Sequence, residues 1–79
     1  MPIPLYGFLE GDTIGLLIMA EETETIQALA QKLQEEASIR VAPRKKVQVV
    51  YKEKVLAPSL TLAQAGVEAL ERFDVVRGE

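Results

Sequence analysis

The sequence has no cysteine, no histidine and no tryptophan, and its aromatic residues are two tyrosines and two phenylalanines. Without cysteine there are no disulfides and no thiolate metal sites. Without histidine there is no catalytic triad and no imidazole acid–base chemistry. Carboxylates remain as metal ligands, but none follows a recognisable loop spacing. We therefore expect a protein that is not an enzyme by itself and that binds no cofactor or metal.

Long hydrophobic runs are also missing. A membrane-spanning helix needs roughly 18 or more apolar residues, and the apolar run Thr13–Ala20 is followed at once by acidic residues. The segment Met1–Pro4 lacks the basic flank of a signal peptide. We expect a cytoplasmic protein with no membrane partner. Its 79 residues, 48% hydrophobic and 27% charged, predict a single globular domain over residues 1–79.

The net charge of −3 is unevenly distributed along the chain. Residues 1–38 carry seven acidic side chains and one lysine, whereas residues 39–79 carry eight basic and five acidic side chains. Nucleic-acid binding needs a dominant basic face, which this balance does not provide, so we expect no nucleic-acid partner. A dipolar charge distribution is suited to orienting a small domain against a larger charged protein.

The first half of the chain predicts a hairpin and a helix. Two apolar segments, Ile3–Glu10 and Thr13–Met19, are joined by the turn signal Gly11-Asp12. Residues 25–38 predict a helix with Thr25 as N-cap. Its apolar stripe, spaced by three and four residues, predicts the face on the core: Ile26, Leu29, Ala30, Leu33 and Ala37. The opposite face is predicted to be polar: Gln27, Gln31, Lys32, Gln34 and Glu35.

The second half predicts three strands and one helical turn. Val47–Tyr51 and Val55-Leu56 are strands around a polar turn, and a one-turn helix starts at Ser59 or Thr61 and is closed by Gly66. A last strand contains Phe73 and Val75. The sheet is predicted to contribute these core residues: Leu5, Leu16, Ile18, Val49, Leu62, Phe73 and Val75. The order β-β-α-β-β-β predicts an α+β roll with one helix on a mixed sheet of four to five strands, as in the ubiquitin-like β-grasp fold.

Three segments carry a resemblance to a known family. "IPLYGFLEGD" at the start, "RVAPR" after the helix and "LTLAQAGVEALERFDVV" near the end occur in the same order as in the toluene-4-monooxygenase system protein B family. That family is the small gamma subunit of bacterial multicomponent diiron hydroxylases of aromatic and alkene hydrocarbons. The resemblance implies hydroxylase alpha and beta subunits as partners. It also implies that the diiron centre, held by Glu and Glu-x-x-His ligands, belongs to the alpha subunit, and that this chain acts by docking.

The loop of the "RVAPR" motif is the first predicted partner interface. Arg40 and Arg44 offer guanidinium groups that bind partner carboxylates in a bidentate manner, and Val41 and Pro43 lie between them. The alternative is a solvated loop whose cations complement the negative end of the helix dipole. Under the interface interpretation, reversing both arginine charges to glutamate weakens assembly without unfolding the domain.

A second predicted contact is a sheet-surface patch of Tyr51 and Val76, like the surface that ubiquitin-like domains present to partners. The alternative is burial of Tyr51, because it shares a strand phase with Val47 and Val49.

Two other functions fit the same fold. The ending Arg77-Gly78-Glu79 is similar to the tail of ubiquitin, which indicates a ubiquitin-like modifier as one alternative. A single Gly followed by Glu, with three residues after Val76, extends only about 10 Å and is a poor conjugation handle. The other alternative is a stand-alone adaptor, similar to the ubiquitin-like protein of type VII secretion loci.

Overall fold

The computed structural model describes residues 2–78. Within this range, strands and helices follow the predicted order, with these bounds: β1 (Ile3–Leu9), β2 (Gly15–Ala20), α1 (Ile26–Glu36), β3 (Val47–Tyr51), β4 (Lys54–Leu56), α2 (Leu62–Ala65) and β5 (Arg72–Arg77).

The strands form one mixed five-stranded sheet in the order β2-β1-β5-β3-β4. β1 and β5 are parallel neighbours at the centre. The other neighbours, β1 with β2, β3 with β5 and β3 with β4, are antiparallel. α1 packs against β1, β2 and β3 on one face of the sheet. The prediction of an α+β roll with one helix on a mixed sheet is confirmed.

Both helices begin at the residues that the sequence indicates. The Thr25 hydroxyl accepts a hydrogen bond from the Ala28 N–H (3.1 Å), and Thr61 forms a reciprocal capping box with Gln64 at the start of α2. Gly66 ends α2 with φ 74°, a left-handed conformation that glycine adopts without steric cost. Within residues 2–78, no helix has the length and apolarity needed to cross a membrane.

The core lies between α1 and the sheet face that α1 covers. Its apolar side chains are Leu5, Leu9, Ile18, Ala20, Ile26, Leu29, Ala30, Leu33, Ala37, Val49, Tyr51, Leu62, Val67, Phe73 and Val75. The helix stripe and the burial of the predicted sheet contributors are confirmed, with two differences. Leu62 is buried but lies on α2 and not on a strand. Leu16 is half-buried at the margin of the core. Leu16 lies on β2, which is an edge strand.

The placement of Gln34 on the polar face of α1 is wrong. Its side chain is buried, with 6% of its surface exposed. Its amide Nε2 donates to the Arg44 carbonyl (3.2 Å), and its Oε1 accepts from the Arg44 N–H (2.7 Å). These two bonds satisfy the buried amide and hold the loop after the helix against α1.

Gly7 lies on the core face of β1, where no side chain has room. A Cβ at this position would come within 2.7 Å of the Phe73 ring and 3.0 Å of the Leu33 side chain. Both neighbours are fully buried core residues. The Phe73 ring therefore occupies the space that a larger residue at position 7 would need.

Candidate functional site

The loop that follows α1 is held in place by the end of the helix. The N–H groups of Arg40 and Val41 both donate to the Ala37 carbonyl, each at 2.9 Å. Val41 is half-buried and packs against the core, whereas Pro43 is exposed. The "RVAPR" segment is therefore a fixed loop that keeps one face in contact with the core.

Arg40 bridges this loop to the turn between β1 and β2. Its Nε donates to Asp12 Oδ1 (3.0 Å) and Oδ2 (3.1 Å), and its Nη2 donates to Asp12 Oδ2 (2.9 Å). Asp12 Oδ1 also accepts from the Thr13 N–H at 2.8 Å. Only 2% of the Asp12 side chain is exposed, against 35% for Arg40. The aspartate is therefore committed within the fold, and only part of the guanidinium is open to a partner.

The ion pair perturbs both groups. Hydrogen bonds from Arg40 hold the pKa of Asp12 below its ordinary value. The bonds to Asp12 raise the pKa of the Arg40 guanidinium. Both shifts favour the charged forms, so the pair persists at neutral pH.

Arg44 is enclosed by the same turn. Its backbone is clamped by Gln34, and its Nη2 lies 3.0 Å from the point where a Cβ on Gly11 would stand. Gly11 has φ +94°, a conformation that other residues rarely adopt. Among residues 2–78, Arg44 Nη1 is a buried side-chain atom with no hydrogen-bond partner. The Arg44 side chain therefore packs against the hairpin turn and is only partly in contact with solvent.

Tyr51 and Val76 do not share a surface. Tyr51 is buried with Val49 on the face that α1 covers, and 6% of it is exposed. In β5, Val75 is buried and Val76 points the other way. The prediction that these two residues form one patch is therefore wrong. The strand register pairs Val76 with Gln48, and this places Val76 and Tyr51 on different faces of the sheet.

The Tyr51 hydroxyl has internal partners. It donates to the Glu71 carboxylate and lies 3.3 Å from the Gly66 carbonyl oxygen. Lys52 pairs with the same carboxylate at 3.3 Å. Burial raises the pKa of Tyr51, and the bond to Glu71 adds to this; the same bond lowers the pKa of Glu71. Tyr51 is therefore a core residue with a satisfied hydroxyl.

The sequence analysis missed the surface on the far side of the sheet, here called the outer sheet face. It consists of the strand residues that point away from α1: Pro4, Tyr6, Phe8, Leu17, Met19, Gln48, Val50, Val55, Arg72, Asp74 and Val76. Most of these are apolar. The sequence of β1 contains a sign of this surface, because the outward residues Tyr6 and Phe8 are aromatic and alternate with the core residues. Alternation alone does not show that the outward residues of a strand form a functional surface.

A groove of about 780 Å³ lies between α1 and the β3–β4 hairpin. Of the described residues that line it, the titratable ones are cations: Arg44, Lys45 and Lys46. The groove therefore presents positive charge beside α1.

Comparison with protein families decides the class of the chain. The model of the family described as toluene-4-monooxygenase system protein B (TmoB) matches residues 2–76. The chain belongs to this family. The resemblance carried by the three sequence segments is thereby confirmed, and family membership supports a subunit of a toluene-4-monooxygenase type of system.

Solved structures show how the TmoB chain compares in fold. A chain of the toluene 4-monooxygenase HD complex with the inhibitor 4-bromobenzoate superimposes with a TM-score of 0.90 and 23% identity, covering 99% of this chain and all of that one (100%). Ubiquitin of Caldiarchaeum subterraneum gives a TM-score of 0.83 with 18% identity, covering 100% and 96% of the two chains. The ubiquitin-like domain of Plasmodium falciparum Dsk2 gives 0.82 with 20% identity, covering 99% and 100%. The ubiquitin-like β-grasp fold is confirmed. No curated protein sequence matches the chain.

The described residues of this chain do not offer the ligands of a diiron centre. The sequence has no histidine. Within residues 2–78, no three His, Cys, Asp or Glu side chains are grouped so that they would hold a metal ion. The described residues therefore do not supply the Glu-and-His ligand set that the resemblance implies.

Proposed function

We propose that the chain is the non-catalytic B (gamma) subunit of a bacterial, cytoplasmic, multicomponent diiron monooxygenase hydroxylase, and that it acts by docking on the large alpha subunit. The observation that carries this proposal is the family match over residues 2–76. The similarity to a chain of the toluene 4-monooxygenase HD complex, with both chains covered end to end, supports it.

The chemistry of the chain supports a docking role. The titratable groups among the described residues of the groove beside α1 are all cations, and the described residues offer no metal site. The functional capacity of such a domain lies in its shape and surface. A rigid body with an ordered loop and an apolar sheet face loses little conformational entropy when it binds a larger protein.

Reconstitution of the hydroxylase tests this proposal. The alpha and beta subunits of the same host are purified with and without this chain, and complex formation is followed by size-exclusion chromatography with light scattering. We expect a complex that contains two copies of each subunit, and hydroxylation that the chain alone does not perform. Migration of the chain apart from alpha and beta at micromolar concentrations would refute the proposal.

The alternative function as a ubiquitin-like modifier has weaker support. A conjugating tail has to leave the domain to enter an activating enzyme. In this structure the Gly78 N–H donates to the Lys46 carbonyl (2.9 Å), so the backbone through Gly78 is held beside β3. Glu79, which a handle would have to lose, lies outside the described residues. Isopeptide-linked peptides of this chain on host lysines, found by mass spectrometry, would favour the modifier instead.

A further inference from the structure

The outer sheet face is more apolar than a sheet face in contact with water normally is. Antiparallel sheets with one face in water normally alternate between apolar residues inside and polar residues outside. Here α1 covers one face of the sheet. Among residues 2–78, no helix or strand packs on the other face. The outward positions are nevertheless mostly apolar on β1 and β2, whereas β5 contributes the charged pair Arg72 and Asp74 beside Val76.

The largest group of exposed apolar side chains on this face lies on the β1–β2 hairpin. The register places Pro4 opposite Met19 and Tyr6 opposite Leu17, so these side chains form one continuous cluster. Tyr6, Leu17 and Met19 are 44%, 55% and 49% exposed. Together with Phe8 these residues are called the hairpin patch. Contiguous apolar patches of this kind on small proteins mark interaction sites.

Phe8 is fixed in the hairpin patch from two sides. Its ring lies across Gly15 on β2, where a Cβ would come within 2.5 Å of Phe8 Cε2. The Arg72 guanidinium stacks on the ring at 4.0 Å from the centroid. An aromatic ring that is already ordered loses little entropy on binding, and aromatic and arginine side chains dominate interface energetics.

The hairpin patch is adjoined by a neutral ion pair. Arg72 Nε donates to Asp74 Oδ1 (2.8 Å), and Arg72 Nη2 donates to Asp74 Oδ2 (3.1 Å). The aspartate thereby balances the one cation that is stacked on the patch. A nucleic acid or an anionic membrane would need unpaired cations here. The chemistry suits an apolar protein surface of low charge.

The open edge of β2 is partly closed to an added strand. Pro4 and Tyr6 direct backbone groups toward the β5 side, since Leu70 N–H donates to Pro4 O (2.6 Å) and Tyr6 N–H donates to Glu71 O (3.0 Å). Their partners on β2 therefore direct backbone groups to the open edge. There the Met19 carbonyl accepts from Lys32 Nζ at 2.9 Å.

This contact favours docking on the face of the sheet over strand addition at its edge. Lys32 also pairs with Glu24 at 2.8 Å, which keeps its ammonium group at the β2 edge. A partner strand would have to displace that group to pair with β2. A folded surface that lies on the hairpin patch leaves it in place.

Leu70 lies next to the hairpin patch, beside the first residues of β1. It adopts φ +66°, which is uncommon for a branched residue, and it is 63% exposed. Its N–H bond to Pro4 places its backbone directly beside the hairpin patch. An uncommon backbone conformation at an exposed apolar residue makes Leu70 a candidate for contact with the same partner.

The area of the outer sheet face favours a large partner that also contacts the adjoining loops. Five strands spaced ~4.8 Å apart and about 20 Å long give a face of roughly 500 Å². A stable interface buries about 800 Å² on each partner. The flat sheet face alone falls short of that area, so the partner must also contact the adjoining loops, as a larger subunit can.

On these grounds we infer that the hairpin patch, with Leu70 at its margin, is the surface by which this chain docks on an apolar, weakly charged surface of the hydroxylase large subunit. This inference rests on the proposed function, since it names the docking surface of that same complex. The "RVAPR" loop then supports the hairpin through Asp12 and lies at or beyond the rim of the interface.

A double charge substitution tests the inference. Leu17→Glu with Met19→Glu introduces two carboxylates into the hairpin patch at exposed positions. We expect affinity for the reconstituted alpha–beta complex to fall at least about tenfold, because apolar interface centres tolerate unpaired charge poorly. The matched control is Ala57→Glu with Ala63→Glu, which adds the same charge at exposed positions away from the hairpin and leaves affinity within about twofold.

A second measurement needs no substitution. Met19 is half exposed in the isolated chain, so its thioether oxidises in dilute peroxide. In the assembled complex we expect its oxidation to slow at least about fivefold, because the side chain is covered. Circular dichroism of the double variant checks that it remains folded, and a variant that unfolds is replaced by this protection measurement.

The outcomes separate this inference from the proposed function. A wild-type complex in which the double variant binds normally, or in which Met19 stays unprotected, overturns the inference and leaves the proposed function standing. Failure of the wild-type chain to bind alpha–beta overturns both. A stable dimer of the isolated chain that the double variant abolishes assigns the hairpin patch to self-association and also overturns the inference.

Discussion

Arg40 and Asp12 lie 28 residues apart in the chain and form a bidentate ion pair between the loop after α1 and the β1–β2 turn. The pair joins the motif that marks the family to the hairpin that carries the exposed apolar patch. Arg40 thus has a structural partner already. Charge reversal at Arg40 would set a carboxylate against Asp12, so the expectation of weakened assembly without any loss of stability no longer holds for that variant.

A double-mutant cycle measures this coupling. Asp12→Asn and Arg40→Gln each remove one charge, and each is expected to lower the free energy of unfolding. The double variant should lose less than the sum of the two single losses, because the second substitution removes a partner that has already been lost. Urea unfolding of the four proteins gives the coupling, and strict additivity would show that the pair contributes nothing.

The same pair predicts a pH dependence. Arg40 lowers the pKa of folded Asp12 below its ordinary value of 3.8. The stabilisation is therefore present above the unfolded pKa and is lost as pH falls through the lower folded pKa. The stability difference between wild type and Asp12→Asn should be constant from pH 7 to about 5 and shrink below the ordinary carboxyl range. A difference that stays unchanged under acid conditions would contradict this assignment.

Gln34 predicts a long-range stabilisation of the loop. Gln34→Met keeps the length of the side chain but removes both bonds to the Arg44 backbone, which leaves a buried N–H and a buried C=O unpaired. We expect a loss of about 1–3 kcal/mol and faster hydrogen exchange at the Arg44 amide. Gln31→Met, on an exposed position one turn earlier, is the control and should have little effect. Equal losses from the two variants would refute the role of Gln34.

Gly7 predicts a steric conflict that a second substitution relieves. Gly7→Ala forces a methyl group into the space of the Phe73 ring, and overpacking of this kind costs about 1–3 kcal/mol. In a Phe73→Leu background the smaller side chain leaves room, so adding Gly7→Ala there should cost clearly less. Thermal unfolding of the four proteins measures this, and an equal cost in both backgrounds would show that Phe73 is not the obstacle.

Local features of the fold could be predicted from sequence because their causes lie within a few residues. The Thr25 cap is a bond to Ala28, and the stop at Gly66 follows from its own left-handed backbone. The apolar spacing of α1 gave the helix and its buried stripe. The strands were predicted from alternation and turn signals, and the resulting order of strands and helix predicted the fold.

Contacts between distant segments could not be predicted in this way. The spacing of Gln34 along the helix indicates the polar face, and only the folded loop brings the Arg44 backbone to it. The pairing of β3 with β5 sets which residues share a face, and neither strand alone shows that Tyr51 and Val76 are opposed. The ion pair of Asp12 and Arg40 likewise depends on how the loop returns to the hairpin.

The apolar outer sheet face was hidden for a different reason. Alternation along a strand predicts which phase faces the core, and of the outward residues only Val76 was predicted to belong to a surface patch. Only the sheet order brings Tyr6, Leu17 and Met19 together on one side. This continuity, which no single strand contains, is the basis for the proposed docking surface.

Docking on the hydroxylase is tested by titration of the isolated alpha–beta complex with this chain. Calorimetry measures the binding, and the hydroxylation rate is measured at each step of the titration. We expect saturable binding of one chain per alpha subunit, with a heat of binding and an increase in the rate or lifetime of the hydroxylase at the same stoichiometry. Absence of binding heat at micromolar concentrations, together with a hydroxylase that is equally active and equally stable without the chain, would contradict it.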